Sequence, residues 1–258
     1  MHISKNAVLL LLSCLLSACA NTSSQFSDQT NEKILQSSSN YPKLVEFYKN
    51  KLIDKESPDY RIKLIKTYER VGDYSSAIFY LQPLLAKSNT INFEINMLAG
   101  KAYLNQSDYP KAQLYLATAH QQQPNDANVL NLLGVLSSYQ GNLAGAKNWF
   151  IAARNAMGDD RTVKNNLALV ALLQGDYNNA RELFESLLAN KTSLNPQVKA
   201  NLAIVYAKLG DENAFNRLVN EPDQIKQQQL YQQLSDLKLV DIRDLALVSQ
   251  YSSNGEIQ

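Results

Sequence analysis

The stretch Gly134-Val135-Leu136-Ser137-Ser138-Tyr139-Gln140-Gly141-Asn142-Leu143-Ala144-Gly145-Ala146-Lys147-Asn148-Trp149-Phe150 carries the pattern that decides the fold. A small residue, Gly134, stands seven positions before the turn that opens at Gly141. A second, Ala146, follows that turn by five, and bulky Phe150 comes four later. Glycine reaches the left-handed conformation that closes a helix. Asparagine beside it caps the next helix by accepting from free backbone N–H groups. The stretch therefore predicts two antiparallel helices that approach closely where Gly134 faces Ala146.

The pattern returns along the chain. Its turns are Gly72-Asp73-Tyr74, Ser107-Asp108-Tyr109, Gly141-Asn142-Leu143, Gly175-Asp176-Tyr177 and Gly210-Asp211-Glu212, at steps of 35, 34, 34 and 35 residues. Gly100, Gly134, Ala168 and Ala203 take the small position before a turn, and Ala77, Ala112, Ala146 and Ala180 the one after. Leu81, Leu116, Phe150 and Phe184 fill the bulky position, and Pro124 closes the second full repeat. The end repeats are irregular. Ile65 takes the small position of the first, and in the last the expected alanine falls one place early, at Ala214.

A period near 34 residues resembles the tetratricopeptide repeat. The resemblance implies an all-α chain: a tetratricopeptide-repeat superhelix of about five to six helix-turn-helix repeats plus a C-terminal capping helix. The other reading is a helical bundle periodic by chance, against which the matched positions in consecutive repeats weigh. The repeats are expected over 57–220. Tyr41-Pro42 echoes Tyr109-Pro110, so 32–56 reads as a degenerate N-terminal helical repeat. Over 221–258, Ile225, Leu230, Leu234, Leu237, Leu245 and Leu247–Val248 have helical spacing beside a glutamine-rich wet face, as in capping helices and a tail.

The chain opens with Lys5 and an apolar run from Ala7 to Leu16, followed by Ser17-Ala18-Cys19. That is the plan of a secretory signal, and the run is too short for the roughly 20 residues of a spanning helix. Leu16-Ser17-Ala18-Cys19 resembles a bacterial lipobox. The resemblance implies a lipoprotein signal peptide over 1–18, cleavage between Ala18 and Cys19, and a covalent lipid on Cys19 that ties the chain to a membrane. Ala20, where inner-membrane lipoproteins carry Asp, implies an outer-membrane, lipid-anchored protein facing the periplasm. Residues 19–31, rich in Ser, Thr, Asn and Gln, have little apolar surface with which to order and read as a flexible tether.

Catalytic constellations are missing from the sequence. The 25 Lys and Arg nearly balance the 24 Asp and Glu, with no long basic run, so nucleic acid has no electrostatic footprint to meet. Of the two cysteines, Cys14 would leave with the leader and Cys19 would carry the lipid, which leaves no disulfide or thiol nucleophile. His2 would leave with the leader; His120 stands alone and reads as a packing or surface residue. No glycine-rich phosphate loop or nucleophile elbow occurs. Asp159-Asp160 reads as a helix cap rather than a metal site. The expectation is no enzyme, no cofactor beyond the lipid on Cys19, no metal, no small-molecule substrate, and protein partners.

In tetratricopeptide arrays the first helix of each repeat lines the concave surface. Its inner-face positions here carry Lys63, Lys66, Lys101, Asn128, Asn131, Asn165, Asn166 and Asn201. Asparagine is a poor helix-interior residue because its amide competes with the backbone. Two explanations stand. The amides bind the main chain of a peptide in the groove, or they bond between adjacent helices and hold the superhelix. The lysines form either a basic end for a partner carboxylate or solvated surface charge.

The stretches Asn128-Val129-Leu130-Asn131-Leu132-Leu133-Gly134-Val135, Lys164-Asn165-Asn166-Leu167-Ala168-Leu169 and Asn201-Leu202-Ala203-Ile204-Val205-Tyr206, taken with the lipobox, resemble the tight-adherence (Flp pilus) assembly lipoproteins of the TadD family. The resemblance implies a scaffold in biogenesis of a type IVb-like pilus, with the pilus secretin or other pilus-assembly proteins as partners. Alternatives are a type IVa pilotin-like repeat lipoprotein, a general periplasmic adaptor that docks peptidoglycan enzymes, and a periplasmic enzyme with dispersed catalytic residues.

Overall fold

The structure is a computed structural model that describes residues 27–87, 92–189 and 196–239. Among these residues the regular structure is helical throughout. The lipobox with Cys19, and the apolar positions Leu245 and Leu247–Val248, lie outside the described residues. The chain divides into two units after residue 91.

The first unit holds α1 (residues 27–37), α2 (Tyr41–Asp54), α3 (Pro58–Arg70) and α4 (Tyr74–Leu85). Asn40 caps α2 by accepting from the Lys43 N–H, and Pro42 sits in that helix's first turn, where its missing donor costs nothing. Asp73 caps α4 through the Ser76 N–H at 3.0 Å. Helix α1 is present from residue 27, so residues 27–31, expected from composition as tether, are helical; residues 19–26 lie outside the described residues. Its polar residues are ordered by distant partners. Asp28 pairs with Lys51 of α2 at 2.5 Å. Glu32 accepts from the Tyr48 hydroxyl at 2.9 Å and pairs with Lys63 of α3 at 3.0 Å. Burial pushes the Tyr48 phenol up to about 12, with Gln36 acting against the shift and Glu32 adding to it. In the α3/α4 pair, Ile65 and Ala77 are both wholly buried, and Tyr68 stacks on Tyr80 at 5.6 Å.

The second unit runs as helix pairs. These are α5 (Phe93–Asn105) with α6 (Tyr109–Gln122), α7 (Ala127–Tyr139) with α8 (Leu143–Asn155), and α9 (Asp160–Leu173) with α10 (Tyr177–Ala189). After them come α11 (Pro196–Leu209), α12 (Glu212–Val219) and α13 (Gln224–Asp236). Each turn inside a pair is built alike. At the α7/α8 turn Gly141 takes φ +77°, and the Asn142 N–H reaches back to the Ser137 carbonyl at 2.9 Å. Asn142 then caps α8 by accepting from the Gly145 N–H at 2.9 Å. This closure satisfies carbonyls at one helix end and donors at the next within a few residues. Ser107 makes the α5/α6 turn with φ 60°, a left-handed conformation without a glycine.

Close approach follows from the small residues. Ala77, Gly100, Ala112, Gly134, Ala146, Ala168, Ala180 and Ala203 are all buried. A methyl added at Gly134 would lie 2.5 Å from the Phe150 ring, and one at Gly100 2.6 Å from Leu116. Phe150 packs with Leu130, Ala146, Val163 and Leu167 in one core cluster; Phe184, Leu202 and Phe215 share a second.

The last pair departs from the rule. Phe215 occupies the position where other repeats place the second alanine, and it is wholly buried. Helix α12 has 8 residues and ends at Asn220 with φ 51°. Helix α13 packs on both α11 and α12 and sets the Tyr231 ring edge-on to Phe215 at 5.2 Å. Lys208 Nζ of α11 donates to the Ser235 carbonyl at 2.7 Å and to that of Leu237, tying down the end of α13.

Candidate partner-binding face

The inner face of the second unit is built on α7, α9 and α11. Residues four apart share a helix face. On α7 that face carries Asn131, Val135 and Tyr139, and on α9 Asn165, Leu169 and Leu173, each half-buried where their neighbours on the packed face are buried. The stripe is polar toward the helix N-termini and apolar toward the C-termini. Tyr139 is held by a parallel stack with Tyr109 of α6, at 5.7 Å between ring centroids. The sequence reading picked out the asparagines and missed the apolar half, although the spacing Val135–Tyr139 and Leu169–Leu173 was its signal.

The asparagines do not share one environment. Asn128 is exposed in the first turn of α7. Asn166 Nδ2 donates to Asn131 Oδ1 at 2.8 Å, a bond from α9 to α7. Asn201 is wholly buried, which withdraws its side chain from any groove occupant. Its Oδ1 accepts from Gln197 Nε2 at 3.1 Å, and its Nδ2 has no partner among the described residues. Asn165 Oδ1 is likewise buried and unpartnered. A further amide that the sequence reading passed over, Asn96, is 1% exposed and donates to Gln122 Oε1 at 3.0 Å, joining α5 to α6.

The lysines divide between the units. Lys63 and Lys66 belong to the first and Lys101 to the second. Lys63 is held by two carboxylates, Glu32 at 3.0 Å and Asp59 at 3.2 Å, and lies over the Tyr60 ring. Those two anions occupy the ammonium that a partner carboxylate would need. Lys66 is exposed and Lys101 half-buried.

The remaining chemical candidates have structural employment. Asp159 caps α9 through the Thr162 N–H at 2.8 Å, and the Thr162 hydroxyl and N–H hold its carboxyl below the usual carboxylate range. Asp160 pairs with Lys164 at 2.8 Å. His120 meets the Trp149 ring edge-on at 5.3 Å. No group of metal-ligating side chains occurs among the described residues, and none of their helices is long and apolar enough to cross a membrane.

Family models described as tetratricopeptide repeat match residues 69–136, 131–197 and 165–212. No curated protein matches the sequence. Among solved structures the chain is similar to the Cut9–Hcn1 tetramer of the APC/C, with a TM-score of 0.67 and 15% identity over 78% of this chain. It spans 41% of that chain's length. It is similar to PilF of Pseudomonas aeruginosa, with a TM-score of 0.61 and 18% identity, covering 83% of this chain and 99% of that one. It is also similar to PilW, described as a widely conserved type IV pilus biogenesis factor, with a TM-score of 0.55 and 18% identity over 76% and 90% of the two chains. At these identities the likeness is one of fold.

Proposed function

Since the chain belongs to the tetratricopeptide-repeat proteins and is a protein-interaction scaffold, we propose that it is an outer-membrane lipoprotein serving assembly of the Flp (tight-adherence) pilus. In this reading Cys19 carries the lipid, residues up to about the start of α1 form the tether, and the repeats hold a pilus-assembly protein, the secretin first among them. The observation that carries the scaffold part of this reading is the half-buried stripe of Val135, Tyr139, Leu169 and Leu173 beside the amides of Asn131 and Asn165. The pilus part rests on the resemblance of the asparagine-bearing stretches and the lipobox to the TadD family. Apolar anchors bordered by donors and acceptors suit a protein segment that buries side chains and satisfies its own main chain.

A type IVa pilotin-like role is the second reading. Its support is the likeness to PilW, described as a type IV pilus biogenesis factor, of which this chain covers 90%. Crosslinking the protein in its native envelope and identifying the captured partner separates the two. A Flp-system secretin supports the first reading and a type IVa secretin the second. Capture of peptidoglycan enzymes alone defeats both. The anchor has its own test: Cys19→Ala should abolish lipid labelling and release a folded protein. Retention in the outer membrane after a high-salt wash would mean that lipid is not the anchor.

A further inference from the structure

We infer that Asn201 and Asn165 are the two halves of a second amide rung, a latch between α11 and α9 that the described geometry holds unmade. The first rung is on display. Asn166 Nδ2 donates to Asn131 Oδ1 at 2.8 Å, and it joins the residue nine before one turn, at Gly175, to the residue ten before the previous turn, at Gly141. One repeat later the same two positions are Asn201, nine before Gly210, and Asn165, ten before Gly175. The buried side-chain atoms left without a partner at these positions are Asn201 Nδ2 and Asn165 Oδ1. One is a donor and the other an acceptor, in the same sense as the first rung. Helices α9 and α11 touch each other, as α7 and α9 do.

The orientation of Asn201 supports the pairing. Gln197 Nε2 occupies its Oδ1 at 3.1 Å, which commits the amide to presenting Nδ2 as its free group. A wholly buried N–H with no acceptor is unfavourable, and so is a buried carbonyl with no donor. Closing one bond removes both penalties. The consecutive pair Asn165-Asn166 then makes α9 the shared helix of a relay. It accepts from α11 through one residue and donates to α7 through the next. With the rung made, the spacing of the three inner helices is fixed. With it unmade, α9 and α11 are free to part along the face that bears Leu169 and Leu173.

The test is a cycle on the full chain with the near-isosteric changes Asn165→Leu and Asn201→Leu, read as urea midpoints by circular dichroism. Each single change strands one buried polar group and should lower the midpoint, whereas the double change should recover most of the loss. Asn131→Leu and Asn166→Leu form the control cycle. Additive losses, or a midpoint raised by either single change, overturn the rung. Relaxation dispersion on the Asn201 side-chain amide reads the latch. Exchange between two environments is expected in the parent and its loss in Asn165→Leu. Strong coupling without exchange in the parent overturns the latch.

Discussion

Gly134→Ala tests the steric rule on which the whole array rests. The added Cβ would lie 2.5 Å from Phe150 Cε1 and 2.6 Å from Cδ1. Carbon atoms at rest sit about 3.5–4.0 Å apart. The ring must therefore yield by roughly 1 Å, or α7 and α8 must separate. Phe150 has nowhere to go: it is 1% exposed, packed among Leu130, Val163 and Ala146 at 4%, 1% and 0%. Overpacking of this kind costs about 1–3 kcal/mol. Alanine's better helix preference offsets about 0.5–1 kcal/mol of that. A shift of roughly 1 Å in an enclosed ring places the overpacking cost in the upper part of its range, about 2–3 kcal/mol. The net expectation is a loss of about 1–2.5 kcal/mol, which at a slope of about 2 kcal/mol per molar urea lowers the midpoint by roughly 0.5–1.2 M. The second arm adds Phe150→Leu, the residue type that Leu116 presents to Gly100 in the preceding repeat. Combined with Gly134→Ala it should cost at least about 1 kcal/mol less than the sum of the two single changes, since the smaller side chain admits the methyl. A Gly134→Ala protein as stable as the parent, or additive losses in the pair, would refute the close-approach argument.

Three further outcomes follow from turns and caps. Ser107 holds φ 60° where the neighbouring turns use glycine at φ 74–77°, so Ser107→Gly should raise stability by about 0.5–1 kcal/mol; thermal unfolding checks it, and a loss would mean that the Ser107 side chain does structural work. The carboxyls of Asp73, Asp108 and Asp159 are held below the usual range, by the Ser76 side chain and N–H, by the Lys111 side chain and N–H, and by the Thr162 side chain and N–H in turn. A folded-state value below the unfolded one gives stability that is present above about pH 4 and is lost as pH falls through the folded value, so replacing all three by Asn should lower stability at pH 7, leave the acid end nearly unchanged, and so flatten the acid limb of a stability–pH curve. Asn96→Ala, which removes the bond to the exposed Gln122 and opens space where the buried Asn96 side chain sat, should cost about 1–2 kcal/mol and speed amide exchange in both helices; unchanged exchange would make the Asn96–Gln122 bond incidental.

What was legible in the chain was whatever the chain enforces locally. The pairing of α7 with α8 needs only Gly134, the turn at Gly141-Asn142, and Ala146, all within a few turns of helix, so spacing alone reveals it. Composition misjudged α1 because its order is not local. Asp28 and Glu32 gain their partners from Lys51, Tyr48 and Lys63 on two other helices, and no window around residue 30 contains them. The asparagines were legible as a row but not in their roles, because those depend on which neighbouring helix each amide meets. Asn166 finds Asn131, while Asn201 is enclosed beside Gln197. The end of the array shows the same limit from the other side. A phenylalanine at the second small position breaks the repeat rule, and in isolation Phe215 reads as a defect. Its ring is wholly buried because Tyr231, from a helix outside the repeat pattern, closes over it. A terminal helix pair has no following repeat to shield its apolar surface, so the residue that spoils the close approach of α11 and α12 is the one that gives α13 something to cover.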